Sequence, residues 1–99
     1  MLKGKLIIKK QEEEGNYKFA GVKSYMTCGF KNIFGDDAEL IAFVALDLIL
    51  TTYPDNADYL QSFVYTYPNS REVKFWCIND VDHITFLLPS EHLKRDPLC

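Results

Sequence analysis

The chain has no uninterrupted apolar run long enough for a membrane. Its longest stretch, "LIAFVALDLIL", is broken by Asp47 and falls well below the ~18 residues a span requires. It also lacks a basic tract. Net charge is -3, both signs are mixed along the chain, and the basic start "MLKGKLIIKK" is followed at once by "QEEE". Binding to duplex nucleic acid needs a cationic footprint that neutralises several phosphates, so that partner is excluded. Phosphate-cradling glycine loops are missing too: Gly29 and Gly35 flank "FKNIF" without the GxxxxGK spacing. Cys28, Cys77 and Cys99 include no CxxC pair, and an odd number of cysteines with no signal peptide argues against a secreted disulfide scaffold. The expected compartment is a reducing cytoplasm, with Cys77 a small core hydrophobe.

Catalytic and metal-binding groups are equally sparse. Histidine occurs only at His83 and His92. Asp80, Asp82 and His83 are the tightest group of potential ligands, but they fall on a turn, where Asp bonds its own backbone, and a metal needs three or four ligands in defined geometry. Glu91 and His92 are expected to face solvent. Cys28 with His83 has the residue types of a nucleophile and base, without a third group to orient them. The pair Asp36-Asp37 is accounted for by a helix start. No catalytic residue, cofactor or metal is assigned, and the chain is read as a non-enzyme.

Five strands and one long helix are legible in what remains. Lys5 to Glu13 and Tyr17 to about Cys28 flank the turn-forming pair Gly15-Asn16 and predict a first hairpin, with Gly21 an irregularity in the return strand. "YMTC", closed by Gly29, is then the end of that strand. Asp36 with Glu39 three residues on makes an Asp form of the capping box, and Tyr53-Pro54 ends the helix near Thr52. Asp36, Asp37 and Glu39 place negative charge at the positive end of its dipole. "DYLQSFVYTYP" predicts a third strand, either face of which could be buried. "VKFWCIN" and "HITFLLP" predict a hairpin turning at Asp80-Val81, with Cys77 opposite Ile84, Phe75 opposite Phe86 and Val73 opposite Leu88. That face is wholly apolar, while Lys74, Trp76, Ile78, His83, Thr85 and Leu87 form a mixed one. The whole chain, 1–99, is thus expected to be a single α+β domain: an antiparallel sheet of about five strands with one long helix packed on it, in the order ββαβββ.

The segments "YMTCG", "DYLQSF" and "CINDVDHITFLLPSEH" resemble, in order and spacing, the domain of unknown function 960 family, found in small proteins of Gram-positive bacteria and their mobile elements. The resemblance covers roughly Ser24 to His92, and departs at Cys28, where members carry a basic residue. It implies a cytoplasmic setting in bacteria or their phages and no particular activity.

Two surfaces are spare on this reading. The helix is apolar nearly all round. If Leu40, Phe43, Val44 and Leu48 cover the sheet, Ile41, Leu46, Ile49 and Leu50 are left for a contact with a second copy, which predicts a homodimer or larger closed assembly. Tyr53, Tyr59, Tyr65, Tyr67 and Trp76 exceed what a small core holds, and Tyr and Trp are common interface anchors. Trp76, Lys74, His83, Tyr65 and Tyr67 are therefore the candidate binding surface. The expected function is a non-catalytic protein-binding module, such as a phage or mobile-element accessory protein that inhibits a host defence component. The alternative is an oligomeric protein that binds or sequesters a small molecule such as a nucleotide signal, using aromatic rings with Lys74, Arg71 or Lys94.

Overall fold

A computed structural model describes residues 2–92, the His92 side chain excepted. Strands β1 (Lys5–Ile8), β2 (Lys23–Met26), β3 (Leu60–Thr66), β4 (Glu72–Asn79) and β5 (His83–Leu87) form one sheet in the order β1-β3-β4-β5-β2. Helices α1 (Cys28–Phe34), α2 (Ala38–Thr52) and α3 (Pro89–His92) complete the described chain, with a 3-10 turn at Gly35–Asp37 joining α1 to α2. The class is the expected α+β sandwich, a five-stranded, mostly antiparallel sheet with one long helix.

The expected first hairpin is absent. β1 and β2 lie at opposite edges: β1 pairs antiparallel with β3, and β2 pairs parallel with β5. The segment between them is held elsewhere. Gly15 N–H donates to Asn56 O at 3.2 Å, and Tyr17 N–H to Ala57 O at 3.1 Å. Asn79 Nδ2 donates to Lys18 O at 2.6 Å, and Phe19 is buried in the core. The chain therefore passes along the end of the sheet where β3 starts and β4 stops, from one edge to the other. Gly21 makes the bend into β2 at φ +73°, a conformation that costs glycine little because it has no Cβ.

In "YMTCG" Tyr25 and Met26 end β2, as expected of a strand end, but the chain passes straight through Thr27 into a helix, so that Cys28 and Gly29 are its first residues and not a closing turn. Thr27 is the N-cap of α1, its hydroxyl accepting from Phe30 N–H at 3.2 Å and donating to Glu91 Oε1 at 2.5 Å. Glu91 also accepts from Leu88 N–H at 2.8 Å and from Gly29 N–H at 3.0 Å. Its buried carboxylate thus satisfies an otherwise unpaired donor of the first helical turn, and ties the end of β5 to the end of β2. Gly29 is required by this contact: a Cβ there would stand 2.6 Å from the Glu91 carboxyl. The expectation of a solvent-facing Glu91 is overturned, because two of its three donors, Thr27 and Gly29, come from a segment remote in sequence that no local pattern places beside it. The predicted Asp36 cap is also corrected. Asp36 lies within the 3-10 turn, and α2 begins after Asp37 without a side-chain cap, the 3-10 turn already holding Asp37 in right-handed helical geometry.

The β4–β5 hairpin keeps the predicted faces but not the predicted register. Cys77 pairs with Phe86, and Asn79 with Ile84. Asp80 N–H donates to His83 O at 2.8 Å, so the central turn residues are Val81 and Asp82, one position later than expected. A one-residue move of the turn shifts each partner by two, which leaves every side chain on its face. Val81 takes φ +77°, where glycine is normally found, so this turn carried no glycine signature. Asn79 Oδ1 supports it by accepting from Val81 N–H at 2.7 Å.

The core lies between one sheet face and the two larger helices. Phe30 and Phe34 of α1 meet Phe75 edge-on, with ring centroids 5.2 and 5.6 Å apart, and Phe63 stacks on Phe75 at 4.9 Å. α2 contributes Ala38, Ile41, Ala45 and Ile49, one stripe at helical spacing, all buried. The two alanines on that stripe let the helix approach the sheet closely. Cys77 is buried and unpaired, and burial pushes its thiol well above the usual range, so it is the expected core hydrophobe. Cys28 is disulfide-bonded, a pairing that the cysteine spacing did not indicate.

Candidate binding surface

Strand alternation divides the sheet's side chains between two environments. Gln61, Phe63 and Tyr65 of β3, with Val73, Phe75 and Cys77 of β4, face the helices and are buried. Neither α1 nor α2 covers the opposite face. Ile7 of β1, Leu60 and Val64 of β3, Lys74, Trp76 and Ile78 of β4, His83 and Thr85 of β5 and Tyr25 of β2 lie on it. Ile7 is 45% exposed, and Leu60, Val64, Trp76 and Ile78 are half-buried.

The structure brings together three of the five residues expected to form the binding surface. Lys74, Trp76 and His83 share the outer face. Tyr65 does not belong with them. It is 2% exposed on the core face, and its hydroxyl accepts from Gly4 N–H at 2.9 Å, which satisfies the polar end of a buried ring. Tyr67 continues the Tyr65 side of the strand, packs edge-on against it at 4.9 Å, and donates to Ile33 O at 3.4 Å. Gln61 settles which β3 face is inward. Although polar, it is fully buried, with Nε2 donating to Gln11 Oε1 at 2.9 Å and to Asp58 O at 3.1 Å.

A cleft of about 610 Å³ opens beside Trp76, between the chain after β1 and the start of β3. Lys9, Lys10, Glu12, Glu13, Tyr59 and Ser62 are among its walls. The sequence hides its contribution, because the local pattern assigns Lys9 to Glu13 to a hairpin and not to a place beside β3. At the far edge of the same face His83 is set between two carboxylates, with Nδ1 2.7 Å from Asp82 Oδ1 and Nε2 3.3 Å from Asp80 Oδ2. The hydrogen bond with His83 is the main reason the Asp82 carboxyl lies below the usual carboxylate range. Tyr25 meets the imidazole edge-on at 5.3 Å. Among the described residues no group of three or more His, Cys, Asp or Glu is placed to hold a metal, and no helix is long and apolar enough to cross a membrane.

The expected oligomer contact is rearranged. Ile41 and Ile49 are buried against the sheet, Leu46 is half-buried, and only Leu50 of the four is exposed. Phe43, expected to cover the sheet, is 70% exposed. A helix that is apolar on nearly every side offers no periodicity to choose between its faces, and close packing at Ala38 and Ala45 made the choice instead.

No family model, curated protein or solved structure matches the chain.

Proposed function

We propose that this protein acts by binding another polypeptide through the outer face of its sheet, without catalysing a reaction. The observation supporting this is the composition of that face. Ile7, Leu60, Val64, Trp76 and Ile78 form an apolar strip over adjacent strands, with Lys74 and His83 beside it and the buried Leu87 next to Trp76. An aromatic centre with a polar margin is the arrangement of residues that dominates protein interfaces. Inhibition of a host component by a small accessory protein is one use of such a module.

The cleft beside Trp76 supports a second reading, a small-molecule binder. Its size falls in the ~300–1,000 Å³ range of ligand sites, and Trp76, Tyr59, Lys9 and Lys10 are groups that hold a nucleotide. Glu12, Glu13 and Asp58 in the same walls oppose an anion, so the polypeptide reading ranks first.

Affinity capture from source-cell extract with the intact protein and with Trp76→Ser and Ile7→Asp variants tests the proposal. A specific protein retained by the unaltered chain and lost with both folded variants supports it. Retention by the outer-face variants, or a nucleotide found by native mass spectrometry that depends on Lys9 and Lys10, would overturn it.

A further inference from the structure

The edge of the sheet at β2 combines three features that lie beyond the outer-face strip and share only its margin at His83 and Tyr25. Among the described residues β2 pairs with β5 alone. Thr27 N–H donates to Phe86 O at 3.0 Å, so by the alternation of a parallel ladder the backbone groups of Tyr25 also turn towards β5. Those of Ser24 and Met26 therefore point outward from the edge.

A cleft lies on each side of that edge. On the helix side, one of about 350 Å³ is lined by Ser24 and Met26 of β2, Phe86, and Glu39, Ala42, Phe43 and Leu46 of α2. On the outer side, one of about 340 Å³ is lined by Lys23, Tyr25, Asp82 and His83 with Gly21 and Val22. A strand added beside β2 would send alternate side chains into these two clefts. β1, the other edge strand, lines neither of them.

The charge of α2 selects the occupant. Between Ala38 and Thr52 the helix carries Glu39 and Asp47 and no Lys, Arg or His. Both acids are exposed and stand one helical turn either side of Phe43. A second copy docking edge to edge would set one acidic stripe near another, which is unfavourable. An extended segment with an apolar residue flanked two positions away on each side by cations matches both the apolar cleft and its acidic rim.

We propose that the β2 edge binds such a segment of another protein as an added strand, with its apolar side chain against Met26, Leu46 and Phe43 and its cations beside Glu39 and Asp47. The site is separate from the outer-face strip, and it stands or falls independently of that surface.

The test uses the whole protein and a labelled peptide Thr-Lys-Thr-Leu-Thr-Arg-Thr. Three controls accompany it: a version with Glu replacing both cations, one N-methylated on alternate backbone amides in each register, and the protein variants Phe43→Ala and Glu39→Lys. Saturable binding is expected, weakened at least tenfold by N-methylation in one register, by charge reversal and by each variant. Slowed hydrogen exchange at Ser24 and Met26 should appear only when peptide is bound. Equal binding of the N-methylated or acidic peptide would overturn the proposal. So would no binding, or protection of those two amides in the peptide-free protein, which would mean that a second copy or another part of the chain already occupies the edge. Because Phe43 is exposed, loss of fold is not expected on its replacement, and circular dichroism of each variant checks this.

Discussion

The core face and the outer face of the sheet are built from the same strands, yet they differ in what fixes them. On the core face Phe63, Phe75 and Phe86 interlock with Phe30 and Phe34, and each of these rings is nearly or fully buried. Burying a large aromatic removes enough apolar area to dominate the stability of a small domain. The outer face has rings and aliphatic groups too, Trp76, Ile78, Leu60 and Val64, but interleaved with Lys74, Ser62 and Thr66 and covered by neither α1 nor α2. Equal strand chemistry thus leads to a close-packed interior on one side and a face that neither larger helix covers on the other; the polar Gln61 enters the interior with its amide nitrogen hydrogen-bonded to Gln11 and Asp58.

The largest effect that can break this comparison is expected at Phe75. Phe75→Ala should cost about 3–5 kcal/mol in urea unfolding, the range for deleting a buried aromatic ring. A loss below that of a surface change would remove the assigned core face. Glu91→Gln comes next, at about 1.5–3 kcal/mol, because a carboxylate that accepts from Thr27, Gly29 and Leu88 is replaced by a group with one acceptor oxygen. Gly29→Ala should be strongly destabilising in the unaltered protein and much less so in Glu91→Ala. Strict additivity of those two changes, measured in a double-mutant cycle, would mean that the glycine serves some other purpose.

Smaller effects sharpen the contrast. Val81→Gly removes the penalty of about 1–2 kcal/mol that an L-residue bears in left-handed geometry and adds glycine's entropy cost, for a net gain up to about 1 kcal/mol. A clear destabilisation would indicate that Val81 makes a contact of its own. Lys74→Ala, on the outer face one residue from Phe75, should change stability by no more than about 0.5 kcal/mol. The smallest effect is a pH dependence. The Asp82 carboxyl is depressed by its bond with His83, so that contribution is complete above the ordinary aspartate range and lost as pH falls through the lowered value. Asp82 is fully exposed, so the effect on folding should be hard to detect, while carboxyl NMR should show titration below the usual range and a return to it in His83→Ala.

Much of the fold was legible because strands and helix carry separate periodicities. "VKFWCIN" alternates strictly, so its inward face followed from the residues and survived a two-residue error in register. Trp76, Lys74 and His83 were likewise placed together by alternation alone. Tyr65 was not, because "YLQSFVYTY" offers plausible apolar residues on both faces, and only the hydrogen bonds of Gln61 and the Tyr65 hydroxyl made the polar-looking face the buried one. The β2 edge was illegible for a different reason. A local turn signal at Gly15-Asn16 suggested a hairpin, whereas the pairing of β2 with β5 brings together residues about 60 positions apart, which no local pattern encodes.

What the sequence by itself determined is most of the inventory, though not α1 or α3: five strands, the long helix with its stop at Tyr53-Pro54, the buried face of β4 and β5, and the net acidity of α2. These depend on neighbouring residues, whose spacing fixes which side chains share a face. Tertiary structure alone decided the strand order, the side of α2 that meets the sheet, and the roles of Thr27, Gly29 and Glu91. Each of those depends on groups remote in sequence meeting in space, where close packing at Ala38 and Ala45 and the satisfaction of buried donors choose among arrangements that the local pattern leaves equal.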